Sequence, residues 1–171
     1  MIINQTQFTE NSIRTYTGKS FDLKLMHPDS ISIEDIAHAL SHTSRYAGHL
    51  EQHYSVAQHS VLIAQHVSNK NRLAALLHDG SEAYLGDMPS PFKKMMPEFR
   101  AFEDKLMQVI AQKFGFEFPL HTEIKEWDHN FLNIEIESFI EGSHKLDYWS
   151  PEKSEQRFLE MFEGLRIKNH K

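Results

Sequence analysis

The spacing of apolar residues changes character early in the chain. Residues 13–25, IRTYTGKSFDLKL, alternate about Gly18-Lys19 and predict a short β-hairpin. From Ser30 onward the spacing is helical. Ser32, ahead of Glu34 and Asp35, opens a helix through Leu40. Ser55 caps a second through about Val67, and Asn71 a third through about Tyr84. Gly86, Pro89, Pro91 and Pro97 break the pattern, which resumes from Glu98 to Phe114 and stops at Gly115. A long mixed helix is predicted from Thr122 to about Ile140. Ser150-Pro151, an N-cap followed by a first-position proline, opens a last one to about Phe162. Many helices and little strand predict an all-α bundle with a short N-terminal hairpin. No repeat or linker divides it, so one domain is expected over 1–171: an arm to residue 29, a helical core over 30–140 and a C-terminal helix beyond 141.

Each predicted helix has a face, because successive side chains advance by about 100°. In 72–84, Leu73, Leu76, Leu77, Gly80 and Tyr84 share one side. His78, Asp79 and Glu82 form a wedge on the other, above Ala74 and Ala75. An ordinary solvated face explains that wedge as readily as a site does. The helix before it changes the balance. Val56, Ala57, Val61, Leu62, Ile63, Ala64 and Val67 nearly encircle 55–67, leaving Gln58 and Gln65 as its wet edge. His59 and His66, seven apart, share a face inside that sleeve. A buried imidazole needs partners for its ring nitrogens, and a backbone carbonyl usually suffices for one. Here the short connection to 72–84 makes the two helices antiparallel neighbours, so His59 faces His78 and Asp79. Asp128 flanks the apolar arc of Ile124, Trp127, Phe131 and Ile134. Alone it reads as a salt-bridge carboxylate; with the other three it completes an N2O2 set suited to a divalent ion.

Composition narrows the chemistry. The 171 residues, 40% hydrophobic and 25% charged, suit a globular domain with a core. No apolar run approaches the roughly 20 residues of a membrane span, and the N-terminus lacks a basic-then-apolar leader. No membrane association and a cytoplasmic location are therefore expected. With no cysteine, any transition metal must be held by His, Asp and Glu. A net charge of −6 argues against a nucleic-acid polymer as partner, and a small anionic substrate would need a local cation. Histidine is abundant, at 12 residues. Among them His38, His42, His49 and His53 read mainly as surface or core residues near the mouth of the site. His66 lacks a further carboxylate at ligand spacing, so one metal is expected.

The set His59, His78-Asp79 and Asp128, with SRYAGH at 44–49, SVAQHS at 55–60 and LLHDGSEAYLGDMPSPFK at 76–93, resembles the HD-domain phosphohydrolase superfamily. The match runs over roughly residues 13 to 135. It is similar to YfbR-type 5′-deoxynucleotidases, and more so to short phage and prophage HD phosphohydrolases, including dATP triphosphohydrolases of phages that use 2-aminoadenine. The resemblance implies an HD-type helical bundle with His59, His78, Asp79 and Asp128 as metal ligands. It implies that Glu82 orients or deprotonates the attacking water, and that Asp87 contacts the sugar or orders that water. Arg45 and Lys93 would hold phosphate; from their aromatic and aliphatic character, apart from the resemblance, Phe21, Leu23 and Tyr46 are expected to contact the base. Tyr46 stands where the deoxynucleotidases carry Trp, and Gly80-Ser81 is a mild departure.

The expected function is hydrolysis of the 5′-phosphoester of a deoxynucleotide, a dNTP with dATP first, or alternatively a dNMP. One divalent transition ion (Zn, Co or Mn) is expected, with Mg entering on substrate phosphates, and self-association into a homo-oligomer. A nucleotide- or metal-sensing module is the non-enzymatic alternative, although a positioned Glu82 and Asp87 have no use there. Histidines and carboxylates that merely satisfy one another are the other.

Overall fold

The computed structural model describes residues 8–143 and 146–169; the first seven residues of the expected arm, residues 144–145 and the last two lie outside it. The hairpin forms where alternation predicts it. Strands β1 (Ser12–Arg14) and β2 (Ser20–Asp22) are antiparallel with Ile13 opposite Phe21. The turn closes through Gly18, whose φ of 83° needs a residue without a Cβ.

Helix α1 (Ile33–His42) begins at Ser32, whose hydroxyl accepts from the Asp35 amide. The buried Asp35 carboxylate accepts from Ser32 Oγ at 2.6 Å and from Thr17 N and Oγ at 2.7 and 2.9 Å, tying the hairpin turn to α1. Helix α2 (Val56–His66), capped by Ser55, is buried along nearly its whole length.

The predicted helix over 72–84 is interrupted. Helix α3 (Arg72–Leu76) ends at Leu77, α4 (Glu82–Leu85) starts four residues after His78, and His78–Ser81 form the turn between them. At that turn Ile110 comes close: a Cβ on Gly80 would meet Leu77 O at 3.0 Å and Ile110 side-chain atoms at 3.5 Å. Asn71 does not cap α3; its side-chain amide donates to Glu123 instead.

The prolines start helices rather than break them. Pro91 lies in α5 (Ser90–Lys93), and Pro97 is the first residue of α6 (Pro97–Phe114), which ends at a left-handed Gly115. Helix α7 (Thr122–Glu135) passes into a π-helical turn over Ile136–Ile140. Helix α8 (Pro151–Asn169) is longer than predicted and packs on α1, α2 and α3, with Phe158 and Phe162 buried in the core. The fold is all-α with a short N-terminal hairpin. No described helix is long and apolar enough to cross a membrane.

Candidate metal centre

His59 is placed by α2, whose register is pinned at both ends of the preceding residue. Gln58, expected at a wet edge, is buried: its amide donates to Asp147 O at 2.6 Å and accepts from Trp149 N at 3.0 Å. His59 is fully buried, and its Nδ1 donates to Glu135 Oε1 at 2.6 Å. Glu135 has no exposed surface and accepts three further bonds, each 2.9 Å long, from Arg45 Nη2, Tyr46 Oη and Tyr54 Oη. Burial opposes its charge, but the bonds from His59 and Tyr46 and the Arg45 guanidinium outweigh this and bring its pKa to about 2. An ionised carboxylate only accepts, so His59 carries its proton on Nδ1 and turns Nε2 inward.

The segment bearing Arg45 is held just as firmly. Arg45 N donates to Tyr54 O at 2.8 Å, and Ser44 bridges Ser55 at the start of α2. Tyr46 and Ala47 then take left-handed φ values of 55° and 51°. Such backbone costs roughly 1–2 kcal/mol per non-glycine residue, and the bonds from Arg45 and Tyr46 to Glu135 offset it.

His78 is fixed by a different device. Its Nδ1 donates to Ala75 O at 2.8 Å, which leaves Nε2 to face the Asp79 and Asp128 carboxylates. The break after Leu77 matters here. In a continuous helix neighbouring side chains diverge, yet His78 Nε2 and Asp79 Oδ2 stand 3.1 Å apart. From α7, Asp128 Oδ1 lies 3.0 Å from His59 Nε2 and 3.9 Å from His78 Nε2, and Asp79 Oδ2 is 3.9 Å from His59 Nε2. The ligand atoms of His59, His78 and Asp128 all lie within 4.8 Å of one another. Zinc bonds of about 2.0–2.1 Å place tetrahedral ligands roughly 3.3–3.4 Å apart, so these separations suit one cation. His78 Nε2 is buried and faces the Asp79 and Asp128 carboxylates at 3.1 and 3.9 Å, an environment that suits a cation. The residues fit a divalent ion. Burial opposes the His78 imidazolium, but the Asp79 and Asp128 carboxylates raise its pKa to about 9.

Glu82 follows at the start of α4. Burial and the charges of Asp79 and Asp87 push its carboxyl well above the usual range, against the pull of Lys93, and its Oε2 is buried and unpartnered. Asp87 is half-buried; burial raises it, and the Arg45 charge works in the opposite direction. Lys93 reaches Glu82 at 3.1 Å and Glu103 at 2.7 Å. A cavity of about 330 Å³ opens against His78 and Asp79 and is lined also by Lys93, Arg100 and Lys125.

Several expected placements change. Phe21 is 0% exposed, with its ring 4.3 Å from that of Tyr84, so it is core and cannot touch a base. Leu23 is half-buried against the same core. Arg45 and Tyr46 are engaged by Glu135, with Arg45 Nη1 4.0 Å from Asp79, so here they organise the site from within. His66 is exposed, bonded to Leu62 O, and its ring lies near Trp127 and Phe131 rather than beside His59's ligands. Glu135 and Tyr54 escaped the sequence reading. The available signal was Glu135's place seven residues after Asp128, on the same face of α7.

No family model matches the chain. It is 42% identical to the uncharacterized Escherichia coli K12 protein YfdR over 123 residues, 72% of this chain and 69% of the relative. It is 37% identical to the uncharacterized Rhodobacter capsulatus protein RCAP_rcc00048 over 122 residues, 66% of this chain and 62% of that one. Neither name states an activity. At the first identity, sustained over more than two thirds of both chains, the protein belongs to the family of Escherichia coli YfdR.

Proposed function

We propose that the protein is an HD-type, metal-dependent phosphohydrolase that cleaves the 5′-phosphoester of deoxynucleotides, a dNTP and dATP first, releasing triphosphate and the deoxynucleoside. One observation carries this reading: two imidazoles whose Nδ1 atoms are committed elsewhere turn Nε2 toward two carboxylates, beside a cavity lined by three cationic side chains. His59, His78, Asp79 and Asp128 would hold Zn, Co or Mn. Such an ion neutralises a phosphoryl oxygen and acidifies a water. Glu82, buried beside Asp79 and Asp87, would take the proton of the attacking water, with the neighbouring cation favouring its ionised form. The bond from phosphorus to O5′ breaks, and the departing oxygen picks up a proton. Lys93, Arg100 and Lys125 supply positive charge for a polyphosphate, which a chain of net charge −6 would otherwise repel. The cytoplasm, where dNTPs occur, is the fitting location.

A second reading, hydrolysis of dNMPs with release of phosphate, is favoured by Glu103 and Asp104 in the same cavity wall, which oppose a long anionic tail. Incubation with dNTPs and dNMPs plus Mn, Co, Zn or Mg, resolving phosphate from tripolyphosphate, tests both. Glu82→Ala should lower turnover by roughly 10²–10⁴-fold while the ion is retained. No turnover across the panel by protein with metal bound would overturn the proposal.

A further inference from the structure

A second group of ligating side chains lies away from His59. His38 and His42, at i and i+4 on α1, share a face, and Glu155 of α8 comes up against them. His38 Nδ1 is 3.1 Å from Glu155 Oε2, and the His38 and His42 ring centroids are 4.2 Å apart. The three ligand atoms lie within 4.8 Å of one another. From these residues we infer a second divalent transition-metal site, zinc first, that staples α8 to α1.

The chemistry of each ligand supports a cation over a plain ion pair. His42 Nδ1 lies 2.8 Å from His38 O and donates to it, the backbone anchor that metal-bound imidazoles commonly use. His42 Nε2 therefore keeps its lone pair. Tyr16 stacks flat on His38 at 3.6 Å, with an interplanar angle of 9°, which restricts the ring's rotation. His38 and Glu155 already stand at the roughly 3.3 Å spacing of tetrahedral ligands. His42 is exposed, with its ring beside that of His38. Glu155 pairs with His38 alone, whereas one cation would engage His38, His42 and Glu155 together. Glu152 stands one turn before Glu155 on α8. Glu152 or a water would complete the shell. Two nitrogens and one or two carboxylate oxygens, with no thiolate, suit Zn, Co, Ni or Cu better than Ca or Mg. A cation here joins the C-terminal helix to α1 two residues before the Ser44–Gly48 segment that carries Arg45.

The test uses the full chain, untagged and stripped of metal, titrated with Zn²⁺ alone and counted by native mass spectrometry and calorimetry. Asp128→Ala, which disables the first cluster, should still bind one zinc and melt several degrees higher with it. His42→Ala, an exposed change, should bind one zinc fewer than the parent chain, as should Glu155→Gln. The double variant Asp128→Ala/His42→Ala should bind none tightly and show no zinc-dependent rise in Tm. Circular dichroism checks that each variant is folded. If His42→Ala and Glu155→Gln both fold and bind as many zinc ions as the parent chain, the site does not exist. That outcome is independent of any hydrolytic activity.

Discussion

Two histidine clusters in one small fold are built by opposite means. Around His59 and His78 both Nδ1 atoms are committed inside the protein, to Glu135 and to Ala75 O, and side chains from α2, α7 and a broken helix converge in the interior. Around His38 and His42 the geometry is mostly helical spacing, with an exposed ring and a half-exposed Glu155 from a neighbouring helix. The first cluster is preorganised at the expense of burying charge. The second is nearly free to form and to lose. Ligand type alone would not separate them; the depth and completeness of the supporting bonds do.

The largest difference should appear on removing the supporting carboxylate. Glu135→Ala leaves Arg45 charged and buried with several donors unanswered, and should cost about 3–5 kcal/mol in urea unfolding. Glu155→Ala, its counterpart, should cost under about 1 kcal/mol without metal. Equal losses would dissolve the contrast. Next, Glu135→Gln preserves shape but weakens the hold on His59, and metal affinity at the first cluster should fall about 10–100-fold in calorimetry, leaving the second untouched.

Asp35 offers a smaller lever on the second cluster alone, since Thr17, which it binds, adjoins Tyr16 over His38. Burial opposes the Asp35 charge, yet bonds from Ser32 and Thr17 win and hold its pKa below 3.8. The sign follows: its contribution is present above the unfolded-state pKa and is lost as pH falls through the lower folded one. Asp35→Asn should therefore cost roughly 1–2 kcal/mol at neutral pH, and the gap from the parent should close in acid, read as urea midpoints against pH. Ser32→Ala removes a helix cap and should cost about 1 kcal/mol, with no effect on metal binding at His59.

Local signals carried much of the fold. Ser32, Ser55 and Pro151 mark helix starts, Gly115 a stop, and alternation about Gly18 the hairpin, because caps and turns are chemistry of neighbouring residues. What failed depended on distant chain. The run LAALL is a good helix, and nothing in its period says that Ile110 will crowd Gly80 and end the helix at Leu77. Gln58 looks solvated until residues 147–149 cover it. Phe21 looked available to a ligand until Tyr84 closed over it. In the site, His59, His78, Asp79 and Asp128 were nominated together and do lie together. Glu135 was invisible because its importance rests on donors 76 to 90 residues away in sequence.

The glutamine beside His59 has an implication for where the chain can be cut. Both halves of the Gln58 amide are consumed by backbone that leads into α8, so that stretch is a wall of the interior and not an appendage. A version shortened after Ile140 would leave that amide without either partner and open it to water one residue from His59.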